Sequence, residues 1–424
     1  MRRETLLFVA TCDIAGQVRG KAFPVSDLEG RRNKGVGWTH SNIMQTCFGP
    51  ILDTPFGTAG DLMIVPDADA TVYVDFDDGT APEHFALGDI RETDGSPWTC
   101  CPRDFLRRAN QALRDACGLQ VLAAFEQEFV HDGVEDRPGH AYSLGAFRRQ
   151  GIFGEALMGV LQVAGVTPDS FLPEYGPRQY EVTVSPRLSL TAADQAVITR
   201  EMARALAHRL GHRVIFSPMP VPDGVGNGVH IHMSLVDAER QPATWDPTAP
   251  FQLTEPARQF CAGVLHHLPS ICAITAPSPV SYLRLTPNRW APTQIDLMTQ
   301  DRGAALRVCP VFAARSEEDI RHQYNVEFRV TDATASPWLA LGAVIQAGAD
   351  GIRKGMTLPE AGSTPNPLPR SLAEALDRME ASPEVASWFG PTFLEAYLRH
   401  KRSELAHVAG WTDAELCERY AEVY

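Results

Sequence analysis

Apolar and polar positions alternate along the first part of this chain and then give way to runs with helical spacing, and the change predicts two units. Up to residue 98 the apolar runs are short: LLFVATCD, GQVRGKAFP, DLMIVPD and TVYVDF, separated by Gly, Pro and Asp. They predict a small strand-rich N-terminal domain over residues 1–98. SPWTCCPRD then forms a proline-containing junction, and FLRRANQALRDAC places its apolar residues at helical spacing and stops near Gly118. From there VLAAFEQEFV, QYEVTVSP, RVIFSPMP, GVHIHMSL and NVEFRV read as strands. They alternate with helical stretches such as AADQAVITREMARALAHRLG and PWLALGAVIQAGADGI. The alternation predicts an α+β catalytic domain over residues 99–424. Within it EAGSTPNPLPR, residues 360–370, reads as a proline-rich surface loop, and the chain from SLAEALDRMEASPEVASWFG onward reads as amphipathic helix.

Several of these strands carry polar residues where an apolar run should not. A strand period of two puts Glu126 and Glu128 of AAFEQEFV on one face, and two unpaired carboxylates there would be costly to bury without a cation. The same period aligns His230 with His232 in GVHIHMSL, and Glu327 with Arg329 in NVEFRV. In PEYGPRQYEV, Glu174 lies in a turn and Glu181 begins another apolar strand. Taken singly, an ExE pair is as often a solvated face as a site, and an HxH pair is more often structural than ligating. Four such segments together predict one shared site. Five carboxylates with a histidine favour the hard ions Mg²⁺ or Mn²⁺ over zinc, with two or more ions in the site. Such ions beside Arg302, Arg307 and Arg329 are equipment for stabilising a transferred phosphoryl group, so the residues predict a metal-dependent phosphoryl-transfer enzyme.

Composition narrows the partners. A net charge of −14 opposes contact with a phosphate backbone, and no Lys/Arg run with interleaved aromatics is present, so nucleic acid is excluded as a partner. No stretch reaches the roughly 18 apolar residues of a membrane helix, and MRRETLLFVATCD is too short for a signal peptide, which predicts a cytoplasmic protein with no membrane partner. The nine scattered cysteines form no CxxC pair and read as reduced thiols. Only Lys21, Lys34, Lys354 and Lys401 are lysines among the 38 basic residues, and GxxxxGK[ST] is absent. Any phosphate must therefore be held by arginine forks.

The ordered motifs resemble those of the glutamine synthetase family, including its relatives that make γ-glutamyl amides. FEQEF resembles its ExE strand, EYGPRQYEV its E-x-GP-x-Q-x-E segment, and NGVHIHMS its G-x-H-x-H-x-S segment. SYLRL, DRGAALRV and VEFRVTDATASPWLALGAVIQAGADGI resemble its closing motifs. The resemblance implies a β-grasp-like N-terminal domain and a C-terminal domain whose curved antiparallel sheet, flanked by helices, forms a funnel with ATP at one end and the amino acid at the other. It also implies two stacked rings of subunits, commonly a dodecamer, in which one N-terminal domain completes its neighbour's site. By motif, one metal falls to Glu128, Glu174 and Glu181, and the second to Glu126, His230 and Glu327. Arg302 and Arg307 match phosphate-holding arginines, with His232 and Ser234 toward ATP. Arg284 matches the clamp on the substrate α-carboxylate, beside Gly226, and Arg329 matches the arginine that reaches the transferring phosphate. The implied reaction uses ATP to turn the side-chain carboxylate of glutamate into an acyl phosphate, which an amine displaces.

Three positions depart from that pattern. Members that use ammonia carry a glutamate immediately before Ala-Pro, where it helps bind and deprotonate ammonium; Trp290 stands there in this chain. The asparagine that helps hold glutamate aligns with Val225, with Asn227 close by, and Asp53 is the nearest match to the family's N-terminal catalytic aspartate. Trp290 has three readings: it packs its loop against a neighbouring element, it lines the nucleophile pocket and receives an amine by cation–π or stacking contact, or amide synthesis has been lost. The expected function is an ATP-dependent carboxylate–amine ligase joining glutamate or a close analogue to an amine larger than ammonia, drawn from polyamines, ethanolamine, alkylamines or anilines. Its alternatives are a non-catalytic nucleotide-binding paralogue, an ammonia-using glutamine synthetase, and a phosphotransferase to a guanidino or other acceptor.

Overall fold

β-Branched and aromatic residues at alternate positions build the first sheet. In the computed structural model, which describes residues 3–360 and 366–424, β1 (Leu6–Cys12), β2 (Val18–Pro24), β3 (Val36–Thr39), β4 (Asp61–Val74) and β5 (Glu83–Glu92) lie in the order β2-β1-β5-β4-β3. β1 and β5 are parallel at the centre and the outer pairs are antiparallel, a β-grasp-like arrangement. The turn out of β1 requires Gly16 at φ 69°, where a side chain would also strike the Thr334 carbonyl. DLMIVPD and TVYVDF, expected as two strands, are one: β4 runs through both, with a register shift between Pro66 and Thr71 where the proline cannot donate to the ladder.

Eleven further strands follow among the described residues: β6 (Gln120–Phe125), β7 (Gln127–His131), β8 (Pro168–Pro173), β9 (Gln179–Val184), β10 (Arg187–Leu188), β11 (Val214–Ile215), β12 (Ile231–Val236), β13 (Gln294–Thr299), β14 (Ala304–Val308), β15 (Val326–Phe328) and β16 (Asn366–Pro367). They form a seven-stranded sheet, β10-β6-β12-β15-β14-β13-β16, and a four-stranded one, β11-β7-β9-β8. β6 and β7 are one run interrupted at Glu126. Glu126 N–H donates to the His230 carbonyl at 3.0 Å and Glu128 N–H to the Gly228 carbonyl at 3.3 Å, so pairing continues across the break and the sheets join in one curved wall. The expected antiparallel order holds except between β13 and β14, which pair in parallel. The proline-rich loop over 360–370 falls partly outside the described residues, at 361–365, and its next two residues form β16.

Helices pack behind the wall. The expected helices occupy Pro102–Cys117, capped by Gly118 at φ 75°, Ser189–Arg209 and Pro337–Arg353. The C-terminal amphipathic stretch divides into four helices, Leu372–Glu380, Pro383–Phe389, Pro391–His407 and Asp413–Val423. Helix Glu255–Thr275 meets helix Pro337–Arg353 backbone to backbone: a Cβ on Gly263 would lie 2.2 Å from the Ala347 carbonyl oxygen, and one on Gly351 2.2 Å from that of Gln259. Arg103, buried at the start of helix Pro102–Cys117, reaches Asp67 of β4 (2.8 Å), Asp89 of β5 (3.0 Å) and Asp194 of helix Ser189–Arg209 (2.7 Å), tying the first sheet to the rest. No described helix is long and apolar enough to cross a membrane.

Candidate active site

The two-residue period puts every second side chain of the curved wall into a cleft of about 1040 Å³. Along β6 and β7, Val121, Ala123, Phe125, Gln127 and Phe129 point into the core, while Leu122, Ala124, Glu126 and Glu128 face the cleft. Register then assembles a row across four strands: Ala124 of β6 opposes His232 of β12, His232 opposes Glu327 of β15, and Glu327 opposes Arg307 of β14. Ser234 and Arg302 also line the cleft, Arg302 from an exposed turn.

One carboxylate cluster is already satisfied. Glu126 Oε2 lies 3.1 Å from His230 Nδ1 and its Oε1 3.0 Å from His232 Nε2, while Glu327 accepts from Arg307 at 2.6 Å and from Arg329. Burial pushes the Glu126 carboxyl up, but His232 and His230 outweigh it and hold Glu126 well below the ordinary carboxylate range. Glu126, His230 and Glu327 offer ligand atoms all within 4.8 Å of one another. His230 Nδ1 stands 3.1 Å from Glu126 and 3.5 Å from Glu327. Neighbouring ligands of an octahedral ion at about 2.1 Å lie about 3.0 Å apart, so this set fits a hard divalent ion.

The other cluster is hydrogen-bonded, Glu128 accepting from the Gly228 N–H at 2.8 Å, but its like charges oppose one another. Glu128 and Glu181 face each other directly across β7 and β9, the arrangement in which like charges oppose a sheet. Burial, followed by the charges of Glu126, Glu128 and Glu174, pushes the Glu181 carboxyl well above its usual range; burial and Glu128 raise Glu174. Among the described residues no Lys or Arg forms an ion pair with Glu128, Glu174 or Glu181. These residues are less tightly gathered than the first set, and Glu174 accepts instead from the Tyr142 hydroxyl at 2.8 Å. Buried carboxylates that repel one another fit a cation drawn in among them.

Arg284 lies on the last turn of a short helix, Pro279–Arg284. Its guanidinium is buried, donates to the Thr331 carbonyl at 2.8 Å, and among the described residues has no carboxylate within 4.0 Å. Asp332 and Glu128 attract it from farther off, and a buried guanidinium with no carboxylate in contact suits an anionic ligand. Gly226 is needed beside it, because a Cβ there would come within 2.6 Å of the Arg284 side chain. Val225 lines the cleft, whereas Asn227 does not stand in for the missing asparagine: its amide donates to the Ser217 and Ile215 carbonyls and accepts from Gln179.

Trp290 stands at the cleft with 64% of its surface exposed and stacks on Tyr175, centroids 5.5 Å apart and planes 9° from parallel. Tyr142 meets Tyr175 edge-on at 5.2 Å and also lines the cleft. The loop is anchored by Arg289, which donates to the Gly224 and Pro222 carbonyls at 2.7 Å each, and by Arg329, which donates to the Trp290 carbonyl. Asp53 is not brought to the cleft of its own chain; it pairs with Arg399 at 2.6 Å. Sequence reading missed Tyr142, Tyr175 and Cys309 as cleft residues. Tyr175 follows Glu174 in the sequence, but neither tyrosine nor Cys309 carried a pattern that pointed to the cleft.

A family model described as "Glutamine synthetase, catalytic domain" matches residues 99–420, and one described as "Glutamine synthetase N-terminal domain" matches residues 2–98. A γ-glutamylpolyamine synthetase of Streptomyces coelicolor is 32% identical over 445 residues, covering 98% of this chain and 93% of that protein. A glutamine synthetase of Mycolicibacterium smegmatis is 28% identical over 417 residues, covering 92% of this chain and 90% of that protein. A crystal structure described as a novel glutamine synthase homolog superposes with a TM-score of 0.95 at 41% identity, covering 100% of this chain and 99% of the other.

Proposed function

The chain belongs to the glutamine synthetase family, a family of ATP- and divalent-metal-dependent carbon–nitrogen ligases, and from that premise we propose that it joins the side-chain carboxylate of glutamate to an amine larger than ammonia. Arg284, buried and with no carboxylate in contact among the described residues, clamps the α-carboxylate of the amino acid beside Gly226. Arg307 and Arg302 hold the phosphates of ATP, with His232 and Ser234 toward the nucleotide. Arg329, bonded to Glu327, reaches the phosphoryl group in transfer and the carboxylate that receives it. Mg²⁺ or Mn²⁺, held by Glu128, Glu174 and Glu181 and by Glu126, His230 and Glu327, would neutralise the phosphate charge.

The observation that carries the choice of amine is the Trp290–Tyr175 stack. A carboxylate at this position would bind and deprotonate ammonium, whereas an indole has no proton-accepting group. It offers instead an extended π face to a cationic or apolar amine, and the γ-glutamylpolyamine synthetase relative has such a substrate class in its name. Asp53 would act in a neighbour's cleft, within stacked rings of subunits in the cytoplasm, each chain divided at residues 1–98 and 99–424.

Purified protein incubated with ATP, Mg²⁺, glutamate and a panel of polyamines, ethanolamine, alkylamines and anilines should release phosphate with an amine larger than ammonia, and Glu327→Ala should abolish release. Release with ammonia alone would sink the amine reading. Thermal stabilisation by ATP and Mg²⁺ without release under any combination would instead favour a nucleotide-binding paralogue.

A further inference from the structure

Next to the Glu126–His230–Glu327 cluster lies a second cluster of different chemistry. Cys309 follows β14, and its N–H donates to the Asn325 carbonyl at 3.1 Å, which fixes it against the row of His232 and Glu327. Its Sγ stands 3.6 Å from His232 Nδ1 and 3.8 Å from Glu327 Oε2, and the three ligand atoms lie within 4.8 Å of one another. A tetrahedral ion with bonds of about 2.3 Å to sulfur and about 2.0 Å to nitrogen or oxygen separates sulfur from its neighbours by about 3.5 Å. Both separations therefore need to contract by only a few tenths of an ångström.

The surroundings favour the same chemistry. Glu126 Oε1 sits 3.0 Å from His232 Nε2, although not in line for a full hydrogen bond; a carboxylate behind an imidazole keeps the proton on the far nitrogen and leaves the near one to a metal. Sulfur, imidazole and a single carboxylate select a softer ion than the oxygen-rich sets do. An incoming ion must displace two contacts, His232 Nδ1 with Asn325 Oδ1 at 2.8 Å and Arg307 with Glu327 Oε2 at 2.6 Å.

We propose that His232, Cys309 and Glu327 form a site for a thiophilic divalent cation of the zinc class, completed by water, and that its occupation inhibits the enzyme. On binding, the Cys309 thiol loses its proton to solvent, and His232 Nδ1 gives up the proton it shares with Asn325 Oδ1 while Nε2 keeps the one that faces Glu126; metal–sulfur and metal–nitrogen bonds form, and nothing is oxidised or reduced. Inhibition follows because the ion takes Glu327 Oε2 from Arg307 and leaves that arginine facing a second positive charge. The inhibitory half rests on the assignment of Arg307 to ATP phosphate, and the binding half does not.

Cobalt(II) added to the full chain in excess Mg²⁺ is the probe. A near-ultraviolet thiolate-to-cobalt charge-transfer band should grow to one ion per chain, disappear when zinc is added, be absent from Cys309→Ser and remain in Cys417→Ser. Retained Mg²⁺-dependent thermal stabilisation of Cys309→Ser checks that the variant is folded. Zinc should inhibit phosphate release in competition with ATP, and Cys309→Ser should lose about tenfold in zinc sensitivity relative to its own zinc-free rate. A cobalt spectrum without the band, or the same band in Cys309→Ser, overturns the site. A correct band with turnover indifferent to zinc overturns the inhibitory half. A correct band in a protein that no amine turns over leaves the site standing and removes the functional reading.

Discussion

Trp290 is held at φ 56°, a conformation that costs a bulky residue about 1–3 kcal/mol. The Arg329 bond to its carbonyl, the Arg289 anchors and the Tyr175 stack maintain it. Trp290→Ala is expected to weaken amine binding by about 1–2 kcal/mol, roughly tenfold in KM, with the KM for ATP unchanged; equal loss for both substrates would mean the indole only shapes the loop. Residue by residue, the gathering of Glu126, Glu128, His230, His232 and Glu327 at one cleft was legible, because they interrupt apolar strands. Tyr175 was not, because its partner comes from a distant loop and stacking leaves no local pattern. The raised carboxyls set a pH dependence. In the metal-free protein Glu174 and Glu181 keep protons above the ordinary carboxylate range, so their contribution to stability falls as pH rises from that range through the raised values. A cation must displace those protons, and the Tm increase from a fixed Mg²⁺ concentration should grow as pH rises above the ordinary carboxylate range. A pH-independent increase in a scanning-fluorimetry series would contradict that linkage.

At the scale of elements, strand period determined the wall and register placed the site. The alternation of β6 and β7 survives the break at Glu126 because Glu126 N–H finds the His230 carbonyl, something the sequence FEQEF does not announce. Arg302 and Arg307 lie five apart yet differ in setting, one on an exposed turn and one within β14, since the strand begins between them. The parallel pairing of β13 with β14 was likewise beyond a local reading, which sees strands but not their neighbours. Behind the wall, the Gly263–Gly351 crossing brings two helix backbones together with no room for a methyl group. Gly263→Ala should force helix Glu255–Thr275 away from helix Pro337–Arg353 and lower stability by about 1–3 kcal/mol in urea denaturation, despite alanine's better helix propensity. An unchanged or raised midpoint would mean the helices can slide apart freely.

Across the whole molecule, Arg103 joins the first sheet to the catalytic wall through Asp67, Asp89 and Asp194, with Trp338 Nε1 also donating to Asp194 at 2.8 Å. Arg103→Met would leave Asp194 facing Asp67 and Asp89, and a loss of about 3–5 kcal/mol is expected by chemical denaturation; no measurable loss would mean that the pairs of Arg107 with Asp67 and Asp89 and of Arg209 with Glu83, with apolar contact, hold the sheet without it. This joint was not readable from the patterning, since its members are scattered over the sequence. The tryptophans have a further consequence. Trp38, Trp98, Trp245, Trp338 and Trp388 are buried and Trp411 is half-buried, leaving Trp290 as the exposed one of the seven. The protein thus carries its own optical reporter: collisional quenching of its fluorescence by iodide falls chiefly on the indole at the cleft, and a ligand that shields that indole can be followed by light with no label attached.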